Sequence, residues 1–213
     1  MARNALGKTK SRNTQSSTRE DEVAERRQSL LDAAVAVIAQ KGLIGTTISS
    51  IATEAECSYG VVSFHFNSKE GIILAALDYL VDEYDKALNR NSGTPAGRLK
   101  TMIENDFSGK VASARRIAVW AAFWVESVRV PDYRQRCAEV KARYNTFAQT
   151  EIATLAEQRG FKVDAMQVAQ SLNAMIDGFW IANLVTDKTG EAGQAFAKQS
   201  CLAYLHSIFP DDF

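Results

Sequence analysis

From about residue 21 to residue 208, apolar side chains recur at spacings of three and four, and nowhere do they alternate over a useful length. That is the helical period. Only Pro95, Pro131 and Pro210 interrupt it, which leaves room for long helices. Leu30, Ala34, Val37 and Ile38 mark one face of a first helix over about 21–41, with Gly42 as its C-cap. Ile48, Ile51, Ala52 and Ala55 define a short second helix, for which Thr47 is the N-cap. Ser58 can cap a third at about 59–64. Asn67 and Glu70 have capping-box spacing before a fourth helix that runs to about 90 on an Ile73, Leu77, Leu80, Tyr84 face. Asn91-Ser-Gly-Thr-Pro95 is a break. Helices then follow at roughly 96–108, 112–128, 132–159, 164–187 and 191–208, jointed at Pro131, Gly160 and Gly190. The expected fold is all-α, with about nine helices: an N-terminal three-helix unit of helix-turn-helix type and a C-terminal antiparallel bundle.

Composition narrows the function. At 213 residues, 46% hydrophobic and 23% charged, the chain can bury a sizeable core. Its longest strongly apolar run, Ile117–Val125, is far short of the ~20 residues a membrane span needs. Cys57, Cys137 and Cys201 are odd in number and far apart, and His65 and His206 are distant from each other. This predicts neither disulfide nor metal centre, and points to a reduced, cytoplasmic protein. There is no Ser-His-Asp set, no glycine-rich phosphate loop after a strand and no convincing carboxylate pair, so an enzyme is not expected, nor a cofactor.

Charge is unevenly spread. Residues 1–19 carry Arg3, Lys8, Lys10, Arg12 and Arg19 and no acid, and read as a disordered basic tail. Residues 20–71 carry eight acids against four bases. The expected division is therefore a tail over 1–20, a DNA-binding unit over 21–67, and a sensing and dimerising unit over 68–213. The segment Ser58-Tyr-Gly-Val-Val-Ser-Phe-His-Phe66 suits a recognition helix. Val61 and Val62 can pack inward, while Tyr59, Gly60, Ser63 and Phe64 are left for the outer face. Thr47 and Lys69 begin helices whose free N–H groups favour phosphate. On pattern alone, the alternative is that these aromatics are ordinary core and the chain is a helical adaptor that binds a partner, not DNA.

The residues Ala34, Gly42, Thr46-Thr47-Ile48, Ile51-Ala52, Ala55, Ser58-x-Gly60 and Phe64-His-Phe-x-Ser-Lys-Glu70 resemble the N-terminal signature of the TetR/AcrR repressors over about 24–84. The resemblance implies that Thr47, Ser58, Tyr59, Gly60, Ser63, Phe64, His65 and Lys69 face double-stranded operator DNA, a palindrome read by a homodimer. Two departures matter. Glu56 stands in the turn where the family commonly has Gly, and Phe64 stands where many members have Tyr.

In the second half, Trp120, Phe123 and Trp124 cluster on one helix and Tyr144 and Phe147 on the next, while Asn173, Asp177 and Trp180 lie at i, i+4, i+7 on a third. Aromatics with an acid can box an organic cation, although the same residues could be plain core. Arg98-Leu99, Ile103, Asn105-Asp-Phe-Ser108, Val119-Trp-x-x-Phe-Trp124 and Ile176-Asp-Gly-x-Trp180 resemble the sensor half of BetI-type repressors of the choline-to-glycine-betaine pathway. That similarity implies a small-molecule inducer such as choline or another quaternary or cationic amine. Dimerisation is expected through the last two helices, on stripes Ala165, Ala169, Leu172, Ile176 and Ala195, Phe196, Leu202, Leu205, Phe209. The basic tail would supply the phosphate contacts that the acidic unit lacks. Deleting residues 1–19 should then weaken DNA binding and flatten its salt dependence in a gel-shift series; an unchanged salt slope rules this role out.

Overall fold

The computed structural model describes residues 9–88 and 93–213, with side chains over 19–86 and 93–213; Arg3 and Lys8 of the tail, and Asn91 and Ser92 of the central break, lie outside the described residues. Among the described residues there are nine helices and no strand. They are α1 (Thr9–Gly45), α2 (Ile48–Glu54), α3 (Tyr59–Phe66), α4 (Lys69–Leu88), α5 (Pro95–Asp106), α6 (Ala114–Glu126), α7 (Pro131–Arg159), α8 (Ala165–Val185) and α9 (Glu191–His206).

The first helix starts at Thr9, twelve residues before the expected position, inside the segment read as a disordered tail. Extending a helix backward adds one hydrogen bond per residue fixed, whereas only nucleation is costly, so a polar segment can ride on an anchored helix. The anchor is the stretch Leu30–Ile38, in which every residue but the exposed Asp32 is apolar and buried. A helix buried on several sides must be packed on several sides, and α1 lies against α2, α4 and α6. Its regular path is broken at Gly42, where φ is 66° and ψ 176°, a conformation that favours glycine.

The short helices are fixed by local hydrogen bonds. Thr47 Oγ1 accepts from the Ser50 amide at 3.0 Å, and Ser50 Oγ accepts from the Thr47 amide at 3.0 Å, a reciprocal capping box. The fourth helix is not capped by Asn67 and Glu70. Asn67, at φ 61°, closes α3 instead, and Ser68 Oγ accepts from the Gly71 amide at 2.9 Å. The α3–α4 corner is too tight for the expected box. A Cβ at Gly71 would lie 2.2 Å from the Phe66 carbonyl oxygen, so only glycine lets α4 leave α3 at this angle. At the central break, Thr94 caps α5 and Pro95 occupies its first turn.

One core runs from Leu30 to Phe209 through both units. Its seams are α5 and α8 on α7, α6 on α1, α7 and α8, and α9 on α5 and α8. Arg98 pairs with Glu151 at 2.6 Å across α5 and α7, and Arg159 grips Asp212 with two hydrogen bonds at 2.9 and 2.6 Å. No helix among the described residues is long and apolar enough to cross a membrane.

The expected dimer stripes divide. Ala169, Leu172, Ile176, Leu205 and Phe209 are buried inside their own subunit. Ala195 and Phe196 are exposed, and Ala165 and Leu202 are half-buried. The correction has a simple cause: the most apolar positions of α8 and α9 are claimed by the chain's own core. Their opposite faces, with Met166, Ala174, Ile181, Val185 and Phe196 exposed, are what remains for another copy.

Candidate functional site

Two sites emerge, one at each end of the core. At the first, α3 buries Val62 and Phe66 and turns Tyr59 and Phe64 outward, 57% and 78% exposed. Ser58 and Gly60 are exposed beside them, Ser63 and His65 are half-buried, and Thr47 is exposed at the start of α2. Ser58 and Gly60 flank Tyr59 at the start of α3, and a Cβ at Gly60 would meet only Ser58 Oγ at 3.8 Å, so the backbone there is open to a close approach. Ser58 occupies the N-cap position but makes no capping bond, so its hydroxyl stays available. Lys69 is half-buried, and its ammonium donates to the Ile44 carbonyl at 3.2 Å, pinning the start of α4 to the corner before α2. Ile44 itself is 74% exposed at that corner, a residue whose lone apolar side chain the sequence pattern passed over.

Glu56 adopts φ 49°. A side chain there costs about 1 kcal/mol relative to glycine, and its exposed carboxylate stands in the turn between α2 and α3. Glu56→Gly is expected to raise unfolding free energy by about 1 kcal/mol and to tighten duplex binding at low salt. Denaturant melts and a gel shift check this, and a loss of stability would contradict the strain.

The second site is a cavity inside the bundle, lined by Tyr84 of α4, Asp106 of α5, Trp120 and Trp124 of α6, Cys137, Val140, Lys141 and Tyr144 of α7, and Asn173, Ile176, Asp177 and Trp180 of α8. Six of the eight sequence-predicted ligand residues meet here: Trp120, Trp124, Tyr144, Asn173, Asp177 and Trp180. Phe123 and Phe147 do not. Phe123 lies about 60° around α6 from Trp120; it is fully buried and packs edge-on against Tyr133. Phe147 is one helical step past Tyr144, beyond the end of the lined stretch. Tyr84, Asp106 and Lys141 are the gains. Asp106 directly follows Glu104 and Asn105 and so reads as part of a polar stretch, unlike Asp177, which stands inside an apolar run.

The rings form a wall. Trp124 lies 6.4 Å from Trp180 with planes 14° apart, and 6.4 Å from Trp120. The Lys141 ammonium bonds both carboxylate oxygens of Asp177 and sits 4.7 Å over the Trp124 ring. Deeper in, Tyr84 donates its hydroxyl to Asp106 Oδ1, and Trp180 Nε1 donates to the Asp106 carbonyl at 2.8 Å. Tyr84 also lies ring to ring with Tyr144 at 4.2 Å. The Tyr144 hydroxyl is buried and has no hydrogen-bond partner. Asn173 donates to Asn145 at 2.8 Å. The space left between these side chains takes about one water molecule.

The chain can now be compared with known proteins. Residues 95–210 match the model of the BetI-type transcriptional repressor C-terminal domain, and residues 30–76 match that of the tetR family of bacterial regulatory proteins. The chain belongs to the TetR family, in its BetI-type branch. It is similar to the HTH-type transcriptional regulator BetI of Burkholderia mallei, 32% identical over 161 residues covering 73% of this chain and 80% of the relative. The BetI regulator of Serratia proteamaculans is 28% identical over 179 residues, 81% of this chain and 87% of the relative. A chain from Saccharomonospora viridis, described as a transcriptional regulator and solved in complex with choline, superposes with a TM-score of 0.74. It is 26% identical, over 86% of this chain and 96% of that one. TetR regulators bind operator DNA, form dimers and bind small ligands; this chain is a DNA-binding transcriptional repressor of that type, not an enzyme.

The buried carboxyl gives a pH signature. Burial drives Asp106 up from 3.8 to about 7, against the pull of the Tyr84 hydroxyl and Lys141, with Asp177 pushing the same way. The groups around it are Tyr84 from α4, Lys141 and Tyr144 from α7, Asp177 from α8 and Cys201 from α9. Because the folded chain holds this proton more tightly than the unfolded one, the contribution of Asp106 to stability is fully present below about pH 4 and is lost as pH rises to about 7. The loss is of order 2–4 kcal/mol. Asp106→Asn keeps an acceptor for Tyr84 and should flatten that fall. Urea melts at pH 5 and pH 8 read the difference, and an equal pH slope in both proteins would refute it.

Proposed function

We propose that this regulator is a cytoplasmic homodimer released from a palindromic operator when a small cationic amine enters the Trp124–Asp177 cavity. Residues 21–67, led by Tyr59, Gly60, Ser63 and Phe64, read the DNA, and residues 68–213 sense and dimerise. The observation that carries the ligand reading is chemical. The cavity joins two near-parallel indoles to two carboxyls, Asp106 and Asp177, against a single ammonium. Once Asp106 ionises, the pocket is net negative, and indole faces attract cations best when desolvated. The partnerless Tyr144 hydroxyl wants an oxygen, so an amine that also bears a hydroxyl or carbonyl fits both ends. Choline has that pattern, and the Saccharomonospora viridis relative was solved with it.

Dimerisation through the outer faces of α8 and α9 is supported by the apolar side chains left exposed there, Met166, Ile181, Val185 and Phe196. Two such helices per subunit make an intermolecular four-helix bundle. To read a palindrome, that pairing must hold the two recognition helices at about 34–36 Å or a multiple, the spacing of successive turns of one groove. A ligand changes DNA affinity only through differential affinity for two conformers. Two connections can transmit the choice. Tyr84 of α4 lines the cavity, and α6, which carries Trp120 and Trp124, packs directly on α1.

One gel-shift experiment tests the whole reading: the DNA upstream of the chain's own gene, titrated with wild type and Phe196→Asp, with and without choline. Wild type should shift the duplex and release it with choline, and Phe196→Asp should run as a monomer by light scattering and shift poorly. No shift at low salt overturns the operator reading, and a band unmoved by choline or other cationic amines overturns the inducer.

A further inference from the structure

The aromatic cage is not empty: a cation of the chain's own already occupies it. Lys141 Nζ lies over the Trp124 face and is held by both oxygens of Asp177. These are the two interactions an amine ligand would use, and the remaining room holds no organic molecule. We propose that Lys141 is a tethered competitor for the inducer, and that it sets the concentration at which the repressor responds. The inference rests on the cavity being the inducer site.

The exchange is physically open. Lys141 and Asp177 keep 34% and 33% of their side-chain surfaces exposed, so the pair sits at the cavity's mouth. A lysine has a four-carbon stem and can carry its ammonium outward to water while the stem stays packed. Cys137, Lys141 and Tyr144 lie on one face of α7, so the departing side chain leaves its backbone in place and vacates the space beside Tyr144 and Trp124. The incoming group then takes over the Asp177 charge and the Trp124 face. A tethered group on a short flexible arm acts at about millimolar effective concentration. The observed affinity of a free amine is its intrinsic affinity reduced by the fraction of molecules with Lys141 swung out. A quaternary ammonium surrenders less hydration than a primary one on meeting the indoles, but it has no N–H to offer Asp177, so it competes with the hydrogen-bonded Lys141 through charge and ring contact alone. Lys141 therefore raises the threshold for such a ligand.

All three tryptophans of the chain line this cavity, so intrinsic fluorescence reports on it directly. The full-length protein and its Lys141→Ala, Lys141→Met and Lys141→Arg variants are titrated with tetramethylammonium chloride and with choline chloride at constant ionic strength. Gel shift on the upstream duplex and a thermal melt are run on each. Removing the competitor should tighten amine binding by about tenfold or more, in Lys141→Ala and in Lys141→Met, which keeps the apolar stem should the alanine variant fold poorly. The amines should also raise the melting midpoint of these variants more than that of wild type, because they resupply a charge to Asp177. Lys141→Arg, still a tethered cation, should bind no tighter than wild type. Variants that bind no tighter than a wild type that does bind, or that lose binding, overturn the competitor role and leave the cationic inducer standing. Amines that bind none of the four proteins, all of which still shift DNA, overturn the inducer reading and the competitor together.

Discussion

Asp106 is where the sensing half is tied together. Its side chain receives the Tyr84 hydroxyl from α4, its main chain receives the Trp180 indole from α8, and it ends α5. A carboxyl taken wholly out of water is expensive unless hydrogen-bonded or neutral. Here both remedies operate, one from Tyr84 and one from a pKa lifted to about 7. The consequence is geometric. The helix that leaves the DNA-binding unit is held by a polar contact inside the ligand cavity, and an apolar contact of the same size would slide where this one must keep its length and direction. The Tyr144 ring lies 4.2 Å from that of Tyr84 and is tilted 46° to it, so a displacement of Tyr144 bears on Tyr84 and through it on the end of α4.

A second path runs through α6. One part of that helix presents Trp120 and Trp124 to the cavity, and another packs against α1, whose stretch Leu30–Ile38 is almost wholly buried. Tightly packed cores pass on small displacements because they have no slack to absorb them. The two paths meet the DNA-binding unit at different places, α4 at the Lys69–Ile44 pin and α1 at its apolar centre. A rotation of that unit, more than a shift along one axis, is what two separated attachments produce when one moves relative to the other.

The helices and their joints were legible because each break has a local cause: Gly42 at positive φ, Thr47 and Ser50 in a box, Thr94 before Pro95, Gly160 in the left-handed region. The outward side chains of α3 were legible too, since eight residues can bury only a narrow face, and Val62 and Phe66 take it. Contacts decided across the bundle were harder to read. Asp177 stood out as an acid in an apolar run, whereas Lys141 lies between Glu139 and Arg143 in a helix rich in charge and reads as solvated. Its partners, Trp124 and Asp177, are seventeen and thirty-six residues away. Phe123 and Phe147 looked like cage walls because sequence spacing gives neighbours on a helix but not which of two adjacent faces meets the cavity. The dimer stripes divided for a related reason: the strongest apolar signal on α8 and α9 belongs to the internal core, while Ala195 and Phe196 stay exposed on the face left over.

The crowded cavity follows from the same physics as its chemistry. A polar pocket that stands empty leaves Asp177 unpaired and two indoles without contacts, and interiors fill such space or lose stability. A repressor must nevertheless be stable without its ligand, since that is the state that holds DNA. Filling the pocket with an apolar side chain would stabilise the fold and leave no reason for a cation to displace it. Filling it with a lysine keeps the charge balanced while the site waits, and makes the stand-in exchangeable for a ligand of the same kind. The stability of the ligand-free state and the threshold for induction are then one quantity: the stronger the Lys141–Asp177 pair, the firmer the unliganded fold and the more amine is needed to open it.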